Sequence, residues 1–499
     1  MQLLDNVKMA VARRKLSSRK IEGSDDALEI WIHNKIRAEF KGSKEFREAI
    51  GRDELGEIKN QDVTEYQLHK LRKMLEYVSE NSYHYRKVLN DAGIRPSDIR
   101  TIKDMGKIPV TDPSELAAEP FQFLCASQSK VMRAFTTSGT SGTRKRLFYT
   151  RNDVLNIIDS IAAALKAQGM TDGDTLQIMF PAVAAWDPSL MLDGACKIAG
   201  FSSVVASTAD VDEQVKLMKE NHTTMMIGLT SFIYRISVLA KDKHDLRSMG
   251  IKAIICSAEP LPEAMRRELI SIWGCKVVAQ YGMTEMGLAS SIECGAYDGL
   301  HVNNADFIVE VVDPATGKQL GEREEGEMLW TSLSMEGTPL IRYRTRDLSC
   351  IIEPPCKCGF GTGIKIGKIM GRMDAQTKIG YGQKIYPLLF DEVVLAVPGV
   401  LSYDLVLDRD DYRDILTFRV EFKGDKEEGR KKIIAGLEGL DEIKDARQND
   451  LIAPLMVEML DVGCAPFEPK HQPIIDRREQ YDADRSPGER AERPAAASN

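Results

Sequence analysis

Between residues 175 and 281 the chain repeats one pattern. Short apolar runs of strand length (TLQIMF, SSVVAS, TTMMIGL, KAIICS and KVVAQY) alternate with helical stretches such as ADVDEQVKLMKEN and PEAMRRELISIW. Alternation at this spacing builds βαβ units and a largely parallel sheet. Such sheets take ligands in the loops that follow the carboxyl ends of their strands. Residues 1–130 read as mostly helical, with QLHKLRKMLEYVSENS carrying apolar residues at helical spacing. From about residue 305, FIVEVV, GEMLWTSL and PLIRYRTRDLSCII read as strands of a smaller β-rich subdomain. Beyond GKIMGRMDAQ, the strands SYDLVLDR, DILTFRVEF and LMVEMLDV and a helix near GRKKIIAGLEGL make a small α+β domain. A chain of 499 residues is too long for one core. The expected class is α/β, with a large N-terminal domain over residues 1–370 that holds the helical start, mostly parallel sheets and the β subdomain. A small mobile α+β lid over 371–480 and a disordered polar tail over 481–499 complete it.

Charge and cysteine usage narrow the function. A net charge of -8 argues against a nucleic-acid coat or a binder of anionic membranes. No apolar run approaches the length of a membrane span. The opening MQLLDNVKMAVARRKLSSRK has no long apolar core and reads as a surface helix, and Asp5 counts against a transit segment. Nine scattered cysteines, an odd number, do not form a secreted disulfide framework, so a reducing cytoplasm is expected.

The stretch TTSGTSGTRKR, Thr136–Arg146, concentrates glycines, hydroxyls and basic side chains. Glycines let backbone N–H groups approach an anion, and hydroxyls add hydrogen bonds. A helix follows from about Arg151 to Gln168, with Thr150 at its cap, Asp153 at the capping-box position and Gly169 at its end. Val154, Ile157, Ile158, Ile161 and Leu165 form its apolar stripe. A helix start facing the loop also favours an anion. The pattern is not that of a P-loop NTPase, and no strand-linked GxGxxG occurs. By itself the loop reads equally as a flexible surface turn.

Its companions decide between these readings. SAEP (Ser257–Pro260) and QYGMTEMG (Gln280–Gly287) each follow a strand. YRTRDL (Tyr343–Leu348) and GRMDAQTKIGYGQKIYP, from Gly371, come later. In this order the set resembles the adenylate-forming superfamily of acyl- and aryl-CoA synthetases, and within it the phenylacetate–CoA ligase family, over about residues 60–480. The resemblance implies ATP/AMP, Mg²⁺ and coenzyme A as cofactors, a small-molecule carboxylate as substrate, and no nucleic-acid or membrane partner; it admits a homodimer.

The resemblance also implies roles, residue by residue. Thr137, Ser138, Gly139, Thr140, Ser141, Gly142, Thr143 and Lys145 match the loop that grips the β- and γ-phosphates of ATP. Ala258, Glu259 and Pro260 match the strand end lining the adenine pocket, Tyr281 the aromatic residue stacked on the base, and Gly282 its neighbour in the nucleotide site. Thr284 and Glu285 match catalytic positions that contact the α-phosphate and hold Mg²⁺. Asp347 matches the carboxylate on the ribose hydroxyls, Arg372 a basic residue near ribose and phosphate, and Asp374 the hinge of the lid. Taken singly, Glu285 also reads as a helix-start acid, Asp347 as a turn residue and Tyr281 as core packing.

Four places depart from the family pattern or extend it. The catalytic lysine sits in a segment like GKxxRVxDxR; here EPKHQPIIDRR offers Lys470, Asp476 and Arg477 at suitable spacing, with Pro469 and Pro473 replacing the glycine and the arginine. Arg346 stands where the family usually has glycine. The acyl pocket is expected from FPAVAAWDPS and from Thr230–Tyr234, with Trp186 either a pocket wall or core. Cys294 and His301, with Cys356 and Cys358 of PPCKCGFG, supply three thiolates and an imidazole, enough to close a structural zinc shell. Such a cluster occurs in some members of the family; Cys350 is close enough in sequence to replace one ligand, and four unrelated residues are the other reading. The leading function is an ATP-dependent acid–thiol ligase that releases pyrophosphate and makes an acyl-CoA. The alternatives are an adenylating enzyme with a non-CoA acceptor, like the coenzyme F390 synthetases or acyl-protein synthetases, and a catalytically inactive nucleotide-binding relative.

Overall fold

The computed structural model describes residues 11–137, 144–181, 188–380, 382–464 and 473–478. Residues 1–10 and the tail at 481–499 lie outside the described residues. The chain divides into two compact units: residues 1–228, 249–258 and 275–369, and residues 229–248, 259–274 and 370–499.

The first unit opens with helices, as the apolar spacing predicts. The longest are α1 (Ala27–Gly42) and α2 (Asn60–Asn81), and the short α3 (Pro113–Ala118) follows. An antiparallel pair, β1 (Val131–Thr136) and β2 (Arg146–Thr150), brackets the glycine-rich loop and leads into α4 (Arg151–Lys166). The Thr150 hydroxyl accepts from the Asp153 amide at 3.2 Å, and the Thr150 amide donates to Asp153 Oδ2 at 2.7 Å. That reciprocal capping box fixes where the helix begins. All five residues of its expected stripe are buried, and Gly169 takes φ 87° after its end.

The alternating region forms one large sheet. β3 (Thr175–Met179) pairs in parallel with β4 (Ser202–Val205) and with β5 (Met225–Leu229), and β6 (Ala253–Ser257) pairs in parallel with β7 (Lys276–Tyr281). Helices α5 (Pro188–Ala199) and α6 (Val211–Glu220) lie in the β3–β4 and β4–β5 connections. The central β5 and β6 are buried at every position, which is why their sequences are unbroken apolar runs. Beyond β7 the sheet turns antiparallel through β8 (Ser291–Glu293) and β9 (Leu300–Val302). A second antiparallel sheet holds β10 (Phe307–Val312), β11 (Gly326–Ser332) and β12 (Tyr343–Ser349). Not all of the late strands join this subdomain: β13 (Ile351–Ile352) and β14 (Lys365–Ile366) extend the large sheet beyond β9.

The second unit contains α7 (Thr230–Ala240) and α8 (Glu263–Trp273) together with the C-terminal part. β15 (Gly371–Arg372), β16 (Thr377–Ile379), β17 (Gln383–Ile385) and α9 (Pro387–Val394) precede a four-stranded sheet. There β18 (Val400–Asp410) and β19 (Arg413–Phe422) pair antiparallel, with β20 (Met456–Leu460) parallel to β19 and β21 (Ile474–Asp476) parallel to β18. Helices α10 (Lys426–Leu437) and α11 (Asp441–Gln448) connect β19 to β20. Arg235 of α7 pairs through Nη1 and Nη2 with the buried Glu421 of β19, and Glu392 of α9 accepts the first amides of α8, from Glu263 and Ala264. Among the described residues no helix is long and apolar enough to cross a membrane.

Candidate functional site

The glycine-rich loop is closed at its base by its two ends. The Thr137 amide donates to the Lys145 carbonyl at 2.9 Å, and the Thr137 hydroxyl accepts from the Lys145 amide at 3.0 Å. Ser138, Gly139, Thr140, Ser141, Gly142 and Thr143 lie outside the described residues. Lys145 directs its ammonium to Glu285 Oε1 at 2.9 Å, with both side chains buried.

Glu285 sits in a single 3-10 turn, Thr284–Met286, just past β7. Gly287 ends that turn at φ 72°, a conformation in which glycine is unstrained. Gly282 has a different reason to be glycine: a Cβ there would stand 1.7 Å from the Leu288 carbonyl oxygen. The Tyr149 hydroxyl donates to the Thr284 carbonyl, and Gln280 donates to the Tyr281 and Leu288 carbonyls at 2.7 and 2.9 Å. The turn is thus held from β2 and from the end of β7.

β12 brings the remaining groups. Its burial alternates strictly, so Tyr343, Thr345 and Asp347 are buried while Arg344 and Arg346 are partly exposed. Tyr343 donates to Glu285 Oε1 at 3.0 Å, and the Tyr281 hydroxyl donates to Asp347 Oδ2 at 2.7 Å. Arg346 takes φ 65°, and the register of β11 with β12 shifts beside it. This is the left-handed position of a β-bulge, where glycine costs least. The family's usual glycine therefore has a conformational reason, which arginine meets here with strain and with an ion pair to Asp112 at 2.6 Å. Ala258, at the end of β6, is another non-glycine residue at positive φ, 65°.

Four further candidates that the structure describes belong to the second unit. Glu259 caps α7: its Oε2 accepts from the Ser231 amide at 2.9 Å and its carbonyl from the Thr230 hydroxyl at 3.2 Å. Pro260 is exposed. Arg372 and Asp374 pair with each other at 3.0 Å. Lys470 lies outside the described residues, as does Trp186. Of its expected companions, Asp476 and Arg477 are described, and Asp476 is held by Arg478.

The four metal-ligating candidates come together in the first unit. One ligand atom from each of Cys294, His301, Cys356 and Cys358 lies within 4.8 Å of the others. Cys294 and Cys356 sulfurs are 3.8 Å apart, and His301 Nε2 is 3.4 Å from the Cys358 sulfur. Burial, aided by Lys365, pushes the His301 imidazole down to about 3, so it is neutral with a lone pair to give. Its buried Nδ1 has no hydrogen-bond partner. Burial opposes ionisation of Cys356, but the Cys358 amide, the neighbouring thiols and the Lys365 ammonium at 3.4 Å outweigh it and hold that thiol below its usual range. Burial pushes Cys294 up to about 12. A neutral imidazole whose Nε2 faces the Cys358 sulfur, grouped with two further thiols, is a donor set that fits zinc. Cys350 stands apart from the group, its sulfur against Gly367.

A family model described as AMP-binding enzyme matches residues 85–335, half of the chain. Phenylacetate-coenzyme A ligase of Thermus thermophilus is 30% identical over 74% of this chain and 83% of its own length. The chain belongs to the AMP-binding enzymes, in their adenylate-forming CoA ligase group. Phenylacetate-coenzyme A ligase of Aromatoleum evansii is 28% identical over 83% of this chain and 94% of its own. Among solved structures, 2-hydroxyisobutyryl-CoA ligase in the postadenylation state has the same fold, with a TM-score of 0.72 at 21% identity over 85% of this chain and 90% of that one.

As an AMP-binding enzyme the chain holds more of its site in hydroxyls than motif reading found. The resemblance implies no role for Tyr343 of YRTRDL, yet its hydroxyl reaches Glu285. The signal was the period of two: in a strand, residues 343, 345 and 347 share one face. Tyr149 carried no such signal, because it reaches Thr284 from a strand 135 residues away in sequence.

Proposed function

We propose that this enzyme activates an aryl or acyl carboxylic acid with ATP and transfers the acyl group to the thiol of coenzyme A. The observation that carries this reading is the convergence of Lys145 and Tyr343 on Glu285, beside the Tyr281–Asp347 pair. The named relatives, phenylacetate-coenzyme A ligases aligned over most of the chain, support the acid and thiol halves.

Two anions must meet in the first half-reaction, so charge neutralisation matters more than proton transfer. The substrate carboxylate attacks the α-phosphorus, the bond to the bridging oxygen breaks, and pyrophosphate leaves with acyl-AMP formed. Lys145 brings a positive charge to the phosphate loop. Asp347 accepts the ribose hydroxyls, and Tyr281 presents its ring to the base while its hydroxyl holds Asp347. Glu285, a hard oxygen donor already facing an ammonium, fits Mg²⁺. Mg²⁺ supplies neutralisation at the phosphates when bound. Lys470 is the proposed adenylation lysine and Asp374 the hinge about which residues 371–480 rotate as a lid. In the second half-reaction the CoA sulfur attacks the acyl carbon and AMP leaves. Cys294, His301, Cys356 and Cys358 would hold a structural zinc, their four donors leaving no position for substrate.

Pyrophosphate release from Mg-ATP with a panel of aryl, indolyl, short and medium-chain acids, each with and without coenzyme A, tests the reading. Release with one acid class and CoA-dependent AMP turnover is expected. Release indifferent to CoA would point to another acceptor. Silence with every acid, in a protein that still binds ATP, would count against an active ligase. Lys470→Ala should abolish acid-dependent release; full retention would remove Lys470 from the mechanism.

A further inference from the structure

Two groups from different elements meet the same oxygen of Glu285. Lys145 approaches Oε1 at 2.9 Å and Tyr343 donates to it at 3.0 Å. Lys145 Nζ also lies 5.9 Å from the centre of the Tyr343 ring, at the outer limit of a cation–π contact. The three side chains form one buried cluster in the first unit.

The two partners differ in what they can do next. Lys145 is a flexible four-carbon stem at the foot of the phosphate loop, and its charge can serve either a carboxylate or a phosphate. Tyr343 has no such freedom. The residue is 1% exposed, its backbone pairs with Trp330 of β11, and it also bridges to Thr111. A phenylalanine would fill the same space in the core. The hydroxyl is the part of the side chain that packing does not explain, and it points at the carboxylate on which the metal role rests.

We propose that Tyr343 is a positioning residue for nucleotide binding: its hydroxyl keeps Glu285 oriented to receive Mg²⁺ while Lys145 turns from Glu285 to the phosphates. This rests on the reading of Glu285 as the Mg²⁺ ligand. Tyr343→Phe removes one hydrogen bond to a charged group and leaves the ring, so the loss belongs to the metal-dependent part of binding.

The test is calorimetric binding of a non-hydrolysable ATP analogue to the full chain, with Mg²⁺ and with EDTA. The proteins are the wild type, Tyr343→Phe, Glu285→Gln and the double variant, with the melting temperature of each. Tyr343→Phe should weaken binding about tenfold in Mg²⁺, leave binding in EDTA unchanged, and lower the melting temperature only by what one lost hydrogen bond costs the free protein. Added to Glu285→Gln, it should have no further effect. An equal loss with and without Mg²⁺, or the same tenfold loss in the Glu285→Gln background, would overturn the role of Tyr343 and leave the Glu285 reading standing. Unchanged Mg²⁺-dependent binding in Glu285→Gln would overturn that reading and the proposal with it.

Discussion

At the scale of the residue, Arg346 shows conformation and charge pulling in opposite directions. Its φ of 65° is costly for a side chain with a Cβ, and its guanidinium repays part of that through Asp112. Replacing it separates the two effects. Arg346→Ala loses the ion pair and keeps the strain; Arg346→Gly loses the ion pair and relieves it. The glycine variant should be the more stable of the two by about 1 kcal/mol, read as the difference in denaturant midpoint. Equal midpoints would mean that the bulge relaxes around alanine without cost. Asp347 stands next to this strain, so its placement is tied to a backbone turn as much as to its own hydrogen bonds.

At the scale of the element, α1 carries two groups whose protonation opposes folding. Burial, with Arg37 nearby, holds His33 down at about 4, although Asp62 pulls it upward. Hydrogen bonding with His69 at 3.1 Å, helped by Lys70 and Lys73 against the cost of burial, holds Glu39 at about 2. Both take up protons more readily in the unfolded chain, which destabilises the fold as pH falls. The His33 contribution is complete above pH 6.5 and is lost on the way down to 4; that of Glu39 is complete above 4.5 and is lost on the way down to 2. Amide hydrogen exchange in α1, corrected for its intrinsic pH dependence, should therefore quicken from pH 6.5 downward. β5, wholly buried and without titrating side chains, should not follow until the molecule unfolds. The Thr362 hydroxyl, 2.8 Å from His33 Nε2, belongs to the loop that follows Cys356 and Cys358, so the loosening should spread there.

At the scale of the whole molecule, the cysteine–histidine group ties parts of the chain that secondary structure alone leaves separate. Cys294 and His301 come from the β8–β9 region, and Cys356 and Cys358 from the connection between β13 and β14. Glu29 of α1 binds the far side of that connection, accepting from the Gly361 and Thr362 amides at 2.9 Å. Elemental analysis should find one zinc per chain. Stripping it, or making Cys356→Ser, should lower Tm by about 4–16 °C. This is the scale of a lost crosslink of about 2–4 kcal/mol, at about 2–4 °C per kcal/mol. A metal-free protein with an unchanged Tm would reduce the group to buried thiols.

The sequence by itself determined the α/β class, the strands of the parallel sheet and the box that starts α4, because periodicity and capping are local and act within a few residues. It also marked Glu285, Asp347 and the four metal-ligating candidates, since their motifs keep fixed neighbours. What it could not determine is which of these meet. That Glu259 caps α7, and that Tyr149 and Tyr343 enter the site from distant strands, had no local signal. The antiparallel extension of the large sheet by β13 and β14 is likewise a pairing across sequence separation. Such contacts depend on chain reversals whose outcome is settled by packing, and only the tertiary structure decides them.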